Sequence, residues 1–373
     1  MRASSTAAEL GEFCFYRGRV GLYAALRAHG VGAGDEVILQ AFTCLAVPEA
    51  VLATGAIPIF ADIEADGYNM DPQSLRERLS PRTRAVVIQH TFGIPANLSA
   101  IDDVLSGRDL LVIEDCCHTY DSLAAGRRVG TYGDAAFYSF EWGKPLVLGI
   151  GGALICNDRN LKEHVGSVYR EAFRDPPLFA QLRLEAQYCA FRVLYRPSLY
   201  WPVRRAFRRL SSAGVTEGNF HGERGWESVD YGYRMAPLLK RRLSRKIAEL
   251  QAYRAHSAAV AERYRVVLTR VDAVHPVIRA GDEATFARYP LRVGDKRGLM
   301  QAAEELGAEI ADWYTTPVHP VPVAQSGLVG LDPAECPQAC RRVLEIVSLP
   351  TNLRVGERDI DRIAGAFLRM SGS

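Results

Sequence analysis

The chain has 373 residues, 48% hydrophobic and 24% charged, with a formal net charge of only +2. This is an ordinary soluble composition with length for about two domains, and its near-neutral balance leaves no footprint for nucleic acid. No apolar run is long enough to cross a membrane, and residues 1–11 lack the apolar stretch of a secretory leader. Eight cysteines without CxxC or CxxH spacing offer no metal site, and read as free thiols of a reducing, cytoplasmic setting.

From the N-terminus, Val20–His29 has a helical pattern that ends in a glycine-rich turn before the strand Glu36–Leu39. Arg17-Gly18-Arg19 sits directly ahead of that helix, where backbone N–H groups could receive a phosphate. A second helix is expected over Cys44–Thr54, then a strand over Ala56–Asp62. Asp71-Pro72 reads as a capped helix start. Arg84–His90 and Asp109–Asp115 are continuous apolar strands, as in a sheet covered on both faces. Ala135–Phe140 and Gly152–Cys156 complete a βαβ series and hence an α/β sheet, whose ligands collect outside the strand ends. Residues 162–215 then carry arginines and aromatics, including the segment 183–209, with a loop over Ser211–Arg224. One long helix is expected over Ala236–Leu268, and short strands and helices from Ala273 onwards read as a smaller α+β domain. The division is residues 1–235, with 162–230 as an extended helical and loop insertion, and residues 236–373.

Of five lysines, only Lys144 lacks charged neighbours; Lys162, Lys240, Lys246 and Lys296 read as solvated. Lys144 lies between the aromatic run Phe137–Trp142 and the glycines 149, 151 and 152. An amine desolvated there is a Schiff-base nucleophile, although a lysine snorkelling from a strand end is an equal reading. Asp115 ends its strand facing the same crevice, and alternation turns Glu114 the other way. Capping the next turn is the simpler role for an aspartate so placed. Ser139 and the glycines suit an anion. An amine, a carboxylate and a phosphate cradle together suit pyridoxal phosphate (PLP).

The order and spacing of several blocks resemble the DegT/StrS family of PLP-dependent sugar aminotransferases of fold-type I. They are Gly32–Val37, Thr54–Ile63, Tyr68–Asp71, Pro81–Ala85, Val112–His118, Ser139 to Lys144, Gly232–Met235 and Leu349-Pro350. The resemblance implies a mixed, mostly parallel sheet flanked by helices, with a small C-terminal α+β domain. It also implies a homodimer with shared active sites. Lys144 would bond the cofactor covalently and move protons, and Asp115 would pair with its ring nitrogen. His118 would stand beside its phenolic oxygen, and Ser139, Gly18, Arg19 and Val20 would hold its phosphate. Glutamate or glutamine would donate the amino group, and the resemblance points to a nucleotide-linked keto-sugar as acceptor, with aminocyclitol precursors and other ketones as alternatives.

Three positions depart from the family pattern. Cys44 replaces a stacking aromatic, for which Phe42 or Phe92 could substitute. Gly232 replaces an asparagine that reaches the partner's phosphate, and Arg19, in a threonine's place, could compensate. The stretch 162–230 is longer than usual. His90 reads as a packing or hydrogen-bonding residue, not a catalyst. A related dehydratase is disfavoured because that reaction replaces the lysine by histidine. An acceptor that is a non-sugar or lipid-linked ketone is a further alternative. So is a non-catalytic, membrane-associated module resting on residues 183–209; a helical insertion packed over the active site or a subunit interface is the favoured reading of that segment.

Overall fold

The structure, a computed structural model, describes residues 10–194, 200–212 and 229–371. Seven strands form the main sheet: β1 (Phe13–Phe15), β2 (Glu36–Gln40), β4 (Ile57–Ala61), β5 (Thr83–Gln89), β6 (Leu111–Asp115), β9 (Ala135–Ser139) and β10 (Gly152–Cys156). The short β3 (Thr43–Cys44), β7 (Leu123–Ala124) and β8 (Arg127–Arg128) fall between them. The order is β1-β10-β9-β6-β5-β2-β4, with β10 alone reversed. Successive side chains of its strands enter different cores: Val37, Leu39, Ala85 and Val87 one, Ile38, Val86 and Ile88 the other. A sheet buried on both faces needs no polar alternation, which is why these strands read as apolar runs.

Helix α1 (Gly18–Ala28) packs Leu22 and Leu26 on the first face, and helix α4 (Leu98–Leu105) covers the second, with α2 (Ala46–Leu52) and α3 (Pro72–Arg78) between them in sequence. Asp71 caps α3 through the N–H groups of Gln73 and Ser74. The expected helix at Cys44 starts two residues later, because Thr43 and Cys44 pair in parallel with β13 (Val318–His319). After β10 come α5 (Arg159–Ala172), α6 (Leu178–Leu194) and α7 (Tyr200–Ser212). The helix expected over 236–268 is two, α8 (Pro237–Ile247) and α9 (Leu250–Val267). Glu249 donates to Lys246 three residues back, and this tight turn interrupts the four-residue ladder.

Beyond them β11 (Ala273–Val274), β12 (Arg288–Val293) and β14 (Ile346–Pro350) form a three-stranded antiparallel sheet. Helices α10 (Lys296–Leu306), α11 (Pro337–Glu345) and α12 (Glu357–Ser371) accompany it. Leu291 and Ile346 of this sheet and Ile363 of α12 belong to the same core as Val37, Leu39 and α1. Asp62, just past β4, accepts from the N–H groups of Gln338 and Ala339 at the start of α11. That bond ties the main sheet to the C-terminal part at a helix N-terminus.

Described parts of the arginine-rich insertion pack on the rest of the chain. Tyr200 and Trp201 are buried, Trp201 donates its indole N–H to Ala308 at 2.9 Å, and Arg205 pairs with Glu304. Residues 195–199 and most of the expected loop 211–224 lie outside the described residues. Among the described residues no helix is long and apolar enough to cross a membrane.

Candidate active site

Three parallel strand ends are in register: Gln89 opposite Asp115, and Asp115 opposite Phe137. All three residues, and Ser139 on the same side of β9, line a cavity of about 300 Å³. Gly18, Arg19, Cys44, His118, Glu141, Lys144, Trp313, Tyr314 and His319 close it. The sequence-expected Lys144, Asp115, His118, Ser139, Gly18 and Arg19 are therefore brought together. Val20 is not: it is wholly buried, and its N–H donates to the Arg17 carbonyl.

Asp115 accepts from the Cys117 N–H at 2.9 Å, so the turn-capping role and the cavity position coexist. Burial raises its pKa, against the Cys117 bonds and the Lys144 charge, which lower it. His118 accepts from the Phe92 N–H through Nδ1, which places its proton on Nε2, 3.5 Å from the Tyr314 hydroxyl. Burial first, and Lys144 second, depress its pKa well below 6.5, so the ring is neutral. Lys144 sits on a turn closed by its own N–H to the Glu141 carbonyl. The Lys144 side chain is half-buried, and its ammonium lies 4.9 Å from the centre of the Trp313 ring, a cation–π contact.

At the other end of the cavity α1 begins without a side-chain cap. A Cβ on Gly18 would come within 3.1 Å of both Ser139 and the Tyr138 carbonyl, so glycine is what lets the helix end approach β9. Glycines 149, 151 and 152, expected to hold an anion, do not line the cavity. A Cβ on Gly152 would meet the Gly18 backbone at 2.4 Å, so it serves the same close approach from behind. Two buried ion pairs flank the helix start, Arg17 with Glu141 at 2.9 Å and Arg19 with Glu49. Arg19 thus reaches the cavity already partnered, a constraint invisible in sequence because Glu49 is on α2.

Neither Phe42 nor Phe92 replaces the missing stacking aromatic, since both are wholly buried beneath the cavity lining. Trp313 and Tyr314 supply the aromatic wall from the C-terminal part, 4.9 and 6.2 Å from the His118 ring. Burial raises the thiol pKa of Cys44, and of Cys117 more, so neither is a thiolate nucleophile.

His90 and Glu114 lie on the opposite face. Glu114 accepts from His90 Nε2 and from the N–H groups of Gly130, Tyr132 and Gly133. His90 Nδ1 accepts from Ala96. With Cys116 they have metal-ligand spacing, but these bonds already use their acceptor positions, and the cluster anchors the 130–133 loop.

Residues 15–368 match the model of the DegT/DnrJ/EryC1/StrS aminotransferase family. The spore coat polysaccharide biosynthesis protein SpsC of Bacillus subtilis is 28% identical over 92% of this chain and 81% of its own length. The UDP-N-acetyl-3-dehydro-alpha-D-glucosamine 3-aminotransferase of Acidithiobacillus ferrooxidans is 27% identical over 93% and 81%. Among solved structures, the aminotransferase TlmJ of Streptoalloteichus hindustanus superposes with a TM-score of 0.73 at 24% identity, covering 100% of this chain and 90% of that one. The chain belongs to the DegT/DnrJ/EryC1/StrS aminotransferase family, whose members depend on PLP. The cavity fits that cofactor: amine, buried carboxylate, neutral histidine and open helix N-terminus occupy one space, closely fitted at Gly18.

Proposed function

We propose that this aminotransferase moves an amino group from glutamate or glutamine to a keto-sugar, with Lys144 as the residue that bonds the cofactor and shuttles protons. The observation that carries this reading is the shared cavity of Lys144, Asp115, His118 and the first turn of α1. Bound PLP supplies an aldehyde carbon for amines and a ring that draws electrons from the carbon beside it. Asp115 would hold the ring nitrogen's proton, His118 would donate its Nε2–H to the phenolic oxygen, and Gly18, Arg19 and Ser139 would receive the phosphate. Lys144 Nζ removes and returns the proton at the donor's Cα.

The two relatives described above, one named for polysaccharide biosynthesis and one for a UDP-linked dehydro sugar, support a sugar acceptor. A nucleotide-linked one is favoured by a second cavity of about 210 Å³ across the Trp142–Lys144 segment. Arg192, Lys246 and Arg354 line it against one carboxylate, Glu249, which is bonded to Lys246. Such a wall suits phosphates. A cytoplasmic homodimer completes the proposal. Eight free thiols fit a reducing compartment, and Leu178, Phe179 and Leu182 at the start of α6 are exposed apolar surface suited to a second copy.

Nitrogen-15 glutamate and glutamine, incubated with the PLP-loaded enzyme and a panel of nucleotide-linked and free keto-sugars, test the reading. Label in an amino-sugar supports it. Label confined to the donor across the panel, with no keto-acid formed, overturns it.

A further inference from the structure

Lys296, expected to be solvated, is half-buried at the first position of α10 and donates to three backbone carbonyls. They are Asp312 at 3.3 Å, Tyr314 at 3.1 Å and Val343 at 2.8 Å. Two of these carbonyls belong to the segment that forms the cavity's aromatic wall. Trp313 lies between them in sequence and carries the ring under the Lys144 ammonium, while the Tyr314 hydroxyl faces His118. The segment is paired at one end by Ala311 with Ser348 and at the other by Pro317 and His319 with β3. Lys296 bonds the span between those ends, and the Val343 carbonyl fixes it to α11.

We propose that Lys296 is a positioning residue for the active site, holding the Trp313–Tyr314 wall against Lys144 and His118 through its three carbonyl bonds. An ammonium has three hydrogens for three acceptors, whereas a neutral amine has two. Burial lowers the Lys296 pKa to about 8, against the Asp312 charge, which raises it. The wall is therefore fully tethered below about pH 8 and loses a donor above it. Asp295 caps Gly298, Arg342 bonds Glu345 and the Ala65 carbonyl, and the Tyr314 hydroxyl is pushed to high pKa by burial. The inference does not depend on which acceptor the enzyme uses.

The test is tryptophan fluorescence of the full chain from about pH 6.5 to about 9.5. A Lys144→Ala background excludes the titration of Lys144 itself, and Trp313→Phe identifies the Trp313 signal. In the Lys296 chain the Trp313 signal should change with a midpoint near 8. It should stay at its acid-limb value in Lys296→Arg, which keeps the cation, and at its alkaline-limb value in Lys296→Met. In chains retaining Lys144, Lys296→Met should raise the KM for the amino donor several-fold more than it lowers kcat, and Lys296→Arg should restore it. A flat Trp313 signal in the Lys296 chain, or the same midpoint in Lys296→Arg, overturns the proposal. The arginine variant decides the matter even if the methionine variant fails to fold.

Discussion

Replacing Glu114 by glutamine takes one acceptor oxygen from a buried carboxylate that bonds His90 and three backbone N–H groups. Each oxygen serves two donors, so the amide nitrogen that replaces one of them faces two donors with no acceptor. At about 1–3 kcal/mol for each buried group left unsatisfied, the loss is about 2–6 kcal/mol. An unfolding entropy of about 2.1 cal/mol/K per residue over 373 residues makes each kcal/mol worth about 1.3 °C, hence a Tm about 3–8 °C lower. The pH dependence has a definite sign. Burial raises the Glu114 pKa, but the His90 bond and charge, then Gly130 and Gly133, outweigh it and leave the carboxyl below 4.5. Its stabilisation is complete above 4.5 and is lost as pH falls through the lowered native value. Thermal denaturation at neutral and mildly acidic pH, for both chains, reads both effects. A Tm within about 1 °C of the parent at neutral pH would refute the claim that this carboxylate anchors the 130–133 loop.

The neighbouring Asp115→Asn should leave Tm nearly unchanged and slow amino transfer from glutamate about 100–1,000-fold, read in single-turnover kinetics. Gly152→Ala should push the start of α1 away from β10, since the added Cβ has only 2.4 Å to the Gly18 backbone. Fluorescence titration should show weaker PLP binding, with about 1–3 kcal/mol of overpacking cost in denaturation. Trp201→Phe should cost about 0.5–1.5 kcal/mol by removing the indole bond to the Ala308 carbonyl, which keeps the Ile310 N–H, and an unaltered urea midpoint would contradict the packing of α7 on the C-terminal part. Because the Lys296 pKa falls from 10.5 to about 8, the unfolded chain binds more protons between those values. Stability should therefore gain with rising pH in that window, and Lys296→Met should lose that gain in urea titrations at its two ends.

The strands were legible because burial on both sheet faces writes a continuous apolar run, and Asp115 because period-two alternation decides its side. Lys144 stood out because no charged residue stands immediately beside it, only Glu141 three residues before. Lys296 was misread for the converse reason: Asp295 and Arg297 flank it in sequence, but the three carbonyls that desolvate it come from two distant segments. The partners of Arg17 and Arg19 were equally out of reach, since Glu141 and Glu49 meet α1 only through the sheet. Trp313 and Tyr314 carry no local signal that assigns a ring to the cavity. Phe42 and Phe92 looked suitable by position and are packed beneath it. The helix break at Glu249 has no glycine or proline to mark it.

The central claim, that Lys144 bonds the cofactor and relays the donor's amino group, is tested most directly by absorption spectra of the PLP-loaded protein and of Lys144→Ala, before and after adding glutamate or glutamine. The account predicts a visible band that requires Lys144 and is converted to the aminated cofactor's spectrum by the donor. A band that is identical in Lys144→Ala, or no band at all, would contradict it.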